Sequence, residues 1–353
     1  MIRIQNVYYM LAYAFQVLNE QTFRNLATEE FSNTADLFAA ILSKGISTQI
    51  KRGLGKSYVQ QEEALSSIRG KIDISESVKT QSIQRKQLIC SYDEFSVDTK
   101  MNRIIKATVK LLLKFDIDKA RKKELMKLMV FFGEVSDIDL YSVDWRMSYN
   151  RNNQSYRMLM GICYLVVKGL LHTQADGSMK LMDFLDEQRM CRLYEKFILE
   201  YYRKEFPWIS ANASQIPWQL DDDSYELLPV MQTDIMLSVG KKVLIIDAKY
   251  YAHSTQVQYG VHTLHSANIY QIFTYVKNKQ AELGAEAPPV SGMLLYAGTD
   301  EQIQPDHIYQ MSGNRISVRT LDLNRDFAEI ANQLNKIACE HFDSKVGNSS
   351  CSS

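Results

Sequence analysis

The chain has 353 residues, with 41 Lys plus Arg balanced by 41 Asp plus Glu and 46% hydrophobic content. That length suits two domains or one elaborated domain with ample core material, and the even charge rules out a uniformly basic DNA binder, so any nucleic-acid surface has to be local. Five scattered cysteines, Cys90, Cys163, Cys191, Cys339 and Cys351, lack Cys-x-x-Cys spacing and argue against a structural zinc site or a disulfide framework; with no run of membrane-spanning length and no cleavable leader, a soluble cytoplasmic protein is expected.

Taken in order, the spacing of Tyr9, Met10, Tyr13, Phe15 and Val17 predicts a core helix over residues 6–18. A second helix is predicted over 35–50, capped by Asn33 or Thr34, with Leu37, Phe38, Ile41 and Leu42 inward. From about 51 to 94 the texture becomes turn-rich and strand-like, which predicts an antiparallel β region. It is also the basic part of the chain, with nine Lys or Arg against four Asp or Glu between residues 44 and 86. Such a patch can meet phosphates or an acidic partner, although a charged strand face is as often merely solvated. Lys51-Arg-Gly-Leu-Gly-Lys-Ser is not a nucleotide-binding loop, because Gly53 and Gly55 stand too close together.

An amphipathic helix follows over 98–115 with Met101, Ile104, Ile105, Thr108 and Leu112 inside, then another from Asp118 with Leu125, Leu128, Met129 and Phe132 inside and Gly133 as its stop. Residues 136–153 are polar and loose, so the reading divides the chain there, into 1–145 and 146–345, with 346–353 as a disordered tail. Helices are expected over 154–172 and 190–206, the latter carrying Glu195 and Glu200. Beyond a polar loop at 253–260, a helix over 266–283 aligns Asn268, Gln271 and Tyr275 on one face. A core strand over 292–297 and a closing helix over 321–342 complete the expectation. His262 and His265 lack the further Cys or His that a zinc site needs.

The stretch with most chemistry runs from Met231 to Tyr251. Two strand-like runs flank Gly240-Lys241, a two-residue turn with glycine first, as a type II′ hairpin requires. Pairing Val239 with Lys242 and counting outward sets Asp234 opposite Asp247, and alternation puts Lys249 on the face of Asp247. A lone Asp-x-Lys at a strand end is most often a solvated edge. Here an apolar run, Val243 to Ile246, leads straight into it, and the facing carboxylates repel unless a hard divalent cation lies between them. The cation would polarise a phosphodiester, and the ammonium would orient water or stabilise charge on phosphate. Glu195 is the candidate third carboxylate.

The order Glu195, Asp234, Asp247-Ala248-Lys249 and Gln271 to Tyr275 resembles the PD-(D/E)XK nuclease superfamily, with Thr233 where the name-giving proline would stand. Within that superfamily the chain is similar to the McrC family. The stretches that carry this resemblance are Asn6-Val-Tyr-Tyr-Met-Leu-Ala-Tyr-Ala, Arg69-Gly-Lys-Ile-Asp, Asn102-Arg-Ile-Ile-Lys, Leu228-Pro-Val-Met-Gln-Thr-Asp-Ile, Ile246-Asp-Ala-Lys-Tyr-Tyr and His265-Ser-Ala-Asn-Ile-Tyr-Gln. It implies a mixed α+β protein in which an N-terminal helical and β docking domain precedes a nuclease core. It further implies a Mg²⁺-dependent DNA endonuclease subunit working with an McrB-type AAA+ GTPase ring on DNA containing modified cytosine, with GTP bound by the partner. Asp234, Asp247 and the Ala248 carbonyl would hold metal, Lys249 would assist water, Glu195 or Gln271 would orient the set, and Arg52, Arg69 and Lys71 would contact the ring. The alternatives are a non-catalytic regulator of an AAA+ GTPase and a repair-type nuclease acting alone.

Overall fold

The computed structural model of the protein describes residues 2–16, 26, 29, 31, 33–151, 153–176, 187–222, 224–251, 256–258, 261–298 and 304–342. The chain gathers into two compact units, one of residues 1–19 with 185–353 and the other of residues 20–184. Composition had suggested a division near residue 145, but compactness follows long-range contacts. The first helix, α1 (Ile4–Ala14), belongs with the C-terminal half: Asn6 Nδ2 donates to the carbonyls of Leu323 (2.8 Å) and Arg325 (2.7 Å), and Tyr9 stacks on Phe327 with ring centroids 4.1 Å apart.

In the unit of residues 20–184, α2 (Thr34–Arg52) starts at Asn33, whose side chain accepts from the Asp36 amide, and it buries Leu37, Phe38, Ile41 and Leu42 as spaced. The expected antiparallel region is present as β1 (Ser57–Leu65), β2 (Lys71–Asp73) and β3 (Leu88–Ser96), ordered β1-β3-β2; a short helix, α3 (Ile74–Lys79), interrupts it where Asp73 caps the Glu76 amide. Two predicted helices follow as α4 (Lys100–Leu112) and α5 (Lys119–Met129), capped by Thr99 and Asp118. Leu125 and Phe132 are buried, but Leu128 and Met129 are only half-buried. Residues 136–151 carry neither helix nor strand, and α6 (Tyr156–Asp176) follows.

Asn102 occupies an interior position that its charged and apolar neighbours did not advertise. It donates to the carbonyls of Gly55 (2.9 Å) and Val97 (2.8 Å) and accepts from the Tyr156 hydroxyl (2.9 Å), which itself accepts from the Gly55 amide. A buried amide with every group used pins three segments together.

The other unit resumes at α7 (Glu187–Glu205), then β4 (Ser210–Asn212), β5 (Gln215–Ile216), β6 (Met231–Gln232), β7 (Ile235–Val239) and β8 (Lys242–Lys249). Within the expected polar loop, β9 (Gln256–Gln258) pairs with β10 (Val261–Thr263); residues 252–255 and 259–260 lie outside the described residues, as does the tail at 346–353. Helix α8 (Ser266–Leu283) has the predicted bounds. It is followed by β11 (Ser291–Ala297), β12 (His307–Met311), β13 (Asn314–Leu321) and α9 (Phe327–Phe342). The closing helix therefore begins later than expected, since Leu321 ends a strand.

These strands form a mixed six-stranded sheet in the order β12-β13-β11-β8-β7-β4, with β8 parallel to β11, β11 parallel to β13 and the other neighbours antiparallel. Val243, Ile245, Leu294, Ile316 and Val318 meet Ile272, Tyr275 and Val276 of α8 in one core. Alternation turns Leu244, Ile246 and Ala248 to the other face. Helix α7 packs against β7 and β8, and its Tyr201 and Tyr202 hydroxyls donate to Asn335 Oδ1 (2.7 Å) and the Leu334 carbonyl (3.0 Å) of α9. Among the described residues no helix is long and apolar enough to cross a membrane.

Candidate active site

The hairpin of β7 and β8 has the register that the turn predicted. Val239 pairs with Lys242 and Ile235 with Ile246, and of the two turn residues only Gly240 takes a positive φ (+57°). The same count carries on to Asp234 and Asp247, where Asp234 has just left the strand and Asp247 is one residue from the end of the buried run. The Asp234 carboxylate turns back and accepts from the Ala248 amide at 3.0 Å.

Asp247 is 1% exposed, and neither of its carboxylate oxygens has a hydrogen-bond donor in good geometry. The Lys249 ammonium lies 2.8 Å from Oδ2, an ion-pair contact off the hydrogen-bonding direction. Burial is the largest influence pushing the Asp247 carboxyl above its ordinary range, with the Asp234 carboxylate adding to it and Lys249 opposing. Asp234 shifts upward for the same first reason, against the pull of Lys249 and the Ala248 amide. Burial would lower Lys249, but Asp247 and Asp234 outweigh it and hold the ammonium charged. Two facing carboxyls with one cation leave net negative charge and, at Asp247, two buried oxygens without a donor.

Lys249 is steadied from α8. Its ammonium donates to Gln271 Oε1 (3.3 Å), Gln271 Nε2 donates to the Tyr275 hydroxyl (3.0 Å), and that hydroxyl donates to the Gln232 carbonyl (3.1 Å), two residues before Asp234. The polar face predicted on this helix thus returns to the strand entering the site. Its other member, Asn268, bridges the hydroxyl of Tyr251 (3.3 Å) and that of Tyr296 (3.0 Å) instead. Tyr296 stands beside Lys249 in the parallel pairing of β11 with β8 and had drawn no notice in the sequence.

Glu195 is half-buried on α7. Its carboxyl is raised by burial and by the charge of Asp234, which places it in the electrostatic neighbourhood of the hairpin. A neighbour that the sequence reading passed over, Cys191, donates its thiol to Glu195 Oε1 at 3.1 Å and sits 3.9 Å from the Ala248 carbonyl oxygen. The i to i+4 spacing on a predicted helix was the available signal. Glu200 is used elsewhere, accepting from Gln16 (2.7 Å) and Arg203 (2.8 Å). Among the described residues no three His, Cys, Asp or Glu side chains converge closely enough to form a metal cage by themselves, and His262 and His265 form no such group.

The three basic residues singled out in the other unit are all exposed. Arg52 ends α2, Lys71 begins β2, and the Arg69 guanidinium lies over the Tyr92 ring at 4.0 Å. Gly70 makes that stacking possible: its φ is +71°, and a Cβ there would fall 2.4 Å from the Ser91 carbonyl oxygen. Tyr58, Ile74 and Phe95 are exposed on the same region, so the patch is apolar as well as basic.

The family described as McrBC 5-methylcytosine restriction system component matches residues 4–297. The Escherichia coli (strain K12) type IV methyl-directed restriction enzyme EcoKMcrBC is 29% identical over 346 residues, which cover 96% of this chain and 98% of that relative. Among solved structures, a refined half-complex from a tetradecameric assembly of Thermococcus gammatolerans McrB AAA+ hexamers with bound McrC contains a chain with the same fold. It is 19% identical, with a TM-score of 0.51 over 95% of this chain and 76% of that one.

Proposed function

The chain belongs to the family of McrBC 5-methylcytosine restriction system components, and from that premise we propose that it is the nuclease subunit of a GTP-driven restriction complex. The observation that carries the reading is that the hairpin register brings Asp234 opposite Asp247 beside Lys249, with Asp247 buried and both of its carboxylate oxygens without a hydrogen-bond donor. Two carboxylates and a backbone carbonyl suit Mg²⁺ better than a softer ion, because Mg²⁺ is held by one or two carboxylates and fills its shell with water and phosphate oxygens. That preference also accounts for the absence of a third convergent side chain among the described residues.

In this reading Asp234, Asp247 and the Ala248 carbonyl hold the cation. When bound, Mg²⁺ supplies Lewis acidity toward a phosphodiester oxygen of DNA. Lys249 keeps its proton and presents a positive charge where charge grows on the phosphate. Gln271 fixes the direction of that ammonium, and Tyr275 fixes Gln271. Glu195 closes the site from α7 and orients water. The core is of the PD-(D/E)XK type, with Thr233, buried and bonded to Ser214, in place of the proline.

The partner is an McrB-type AAA+ GTPase ring, which binds GTP, carries recognition of DNA with modified cytosine and has its GTP turnover stimulated by this chain. The exposed apolar and basic region with Arg52, Arg69 and Lys71 is the surface offered to it. The test is plasmid cleavage with the partner, GTP and Mg²⁺. Asp247→Ala is expected to abolish cleavage while stimulation of GTP turnover persists; cleavage by that variant would overturn the site assignment. Loss of GTP stimulation in Lys249→Ala would instead favour a regulator without its own chemistry, and metal-dependent cutting by the chain alone would favour a repair-type nuclease.

A further inference from the structure

Cys191 touches both sides of the candidate centre and has no part in the mechanism above. Its side chain projects from the second turn of α7 toward the end of β8. There the thiol donates to Glu195 Oε1 at 3.1 Å and rests 3.9 Å from the Ala248 carbonyl oxygen. A cysteine thiol keeps its proton at neutral pH and acts as a donor here.

We propose that Cys191 is a positioning residue of the nuclease centre: its thiol turns the Glu195 carboxylate toward the strand-borne oxygens of Asp234 and Ala248 and sets the separation of α7 from the end of β8. The inference rests on the nuclease reading of the hairpin. Its physical content is that the helix bearing the water-orienting Glu195 and the strand bearing the cation-binding Ala248 carbonyl are held in step by a single small hydrogen-bonding side chain. Groups behind metal ligands have this influence elsewhere: replacing such a partner typically lowers metal affinity by about tenfold to a hundredfold. Serine keeps a donor of similar size at the same place, whereas alanine removes it.

The experiment uses the full-length chain and Ca²⁺, which occupies an oxygen-lined Mg²⁺ site without supporting the cut. Calorimetric titration of wild type, Cys191→Ser, Cys191→Ala and Asp247→Asn is expected to show Ca²⁺ affinity near wild type for the serine variant. For the alanine variant it should be about tenfold weaker, and for Asp247→Asn it should be lost. In cleavage assays with the partner, Cys191→Ala should need more Mg²⁺ for half-maximal rate while reaching a similar maximum. Equal Ca²⁺ affinity in the alanine variant and wild type overturns the proposal and leaves the nuclease reading intact. So does an equal loss in the serine and alanine variants, which would make the site one of packing. Undiminished Ca²⁺ binding by Asp247→Asn overturns the reading beneath it.

A measurement on the wild-type protein needs no variant to fold. Iodoacetamide labelling of Cys191, followed by peptide mass spectrometry, is expected to slow several-fold when Ca²⁺ bound at Asp234, Asp247 and the Ala248 carbonyl fixes the end of β8 against the thiol. Labelling at an unchanged rate under saturating Ca²⁺ overturns the proposal.

Discussion

Asp234 spends one of its carboxylate oxygens on the amide of Ala248, the residue directly after its register partner Asp247. That bond holds two acidic groups together against their own repulsion, and an asparagine could make it as well. In Asp234→Asn at pH 8 without divalent cations, the repulsion is gone and the bond stays. The variant should therefore be more stable than wild type by about 1 kcal/mol, seen as a Tm about 2–4 °C higher. Added Mg²⁺ should raise the Tm of wild type and leave the variant's unchanged, and cleavage should fall. A lower Tm for the variant in EDTA would show that the two carboxylates do not strain the apo fold.

The chain from Lys249 through Gln271 and Tyr275 to the Gln232 carbonyl predicts a role for a hydroxyl remote from any phosphate. Tyr275→Phe removes the hydrogen bonds that the hydroxyl makes with Gln271 Nε2 and the Gln232 carbonyl, at a cost of about 1–3 kcal/mol. With Gln271 free to turn away, cleavage should fall by about tenfold while GTPase stimulation is unchanged. Plasmid cleavage and GTP turnover on the same preparation check both halves.

Much of this site was legible because a hairpin is a local object. The turn residues fixed the register, and the register fixed which carboxylates face each other. Helix α8 was legible for a related reason, since three polar residues at helical spacing declare a face. The hairpin of β12 and β13 was missed although it had a signal. Ser312 and Gly313 both take positive φ (+48° and +84°) between Met311 and Asn314, which is a two-residue turn of the primed kind flanked by alternating strands. What no local pattern could supply was the pairing of α1 with residues 323–327, or the approach of the Cys191 thiol to Ala248. Both depend on how distant elements stack, and side-chain spacing within one element carries no information about that.

Asn102 offers a test in the unit of residues 20–184. Asn102→Leu keeps volume and helix propensity but orphans the Gly55 and Val97 carbonyls and removes the acceptor of the Tyr156 hydroxyl. Leaving such groups buried and unpaired should destabilise the unit by about 3 kcal/mol. Urea unfolding followed by fluorescence would register it as a lower midpoint with an unchanged slope.

His341, near the end of α9, titrates below the normal histidine range. Burial, and after it the positive charge of Lys242, hold it down to about 4, with a hydrogen bond to the Val243 backbone opposing. The unfolded chain, with a histidine of about 6.5, binds more protons in the window between those values, so stability there rises with pH. The contribution is complete above the unfolded value and drains away as pH falls through the folded one. Thermal melts at pH 7 and pH 5 should show a larger drop in Tm for wild type than for His341→Phe. Equal drops would show that the imidazole is solvated.

The grouping of α1 with the far end of the chain has a consequence for synthesis. A ribosome makes α1 first, then the whole of the unit of residues 20–184, and only afterwards β8, β11 and the segment that clasps Asn6 and Tyr9. Folding during translation proceeds domain by domain from the N-terminal side. The surface proposed for the partner is therefore complete while the proposed metal centre has yet to be translated, and α1 waits until α7 brings Phe197 and Tyr201 to its Tyr13 and, later, α9 brings Phe327 to its Tyr9. A chain stopped at that point carries the proposed docking surface and none of the hairpin of Asp234 and Asp247.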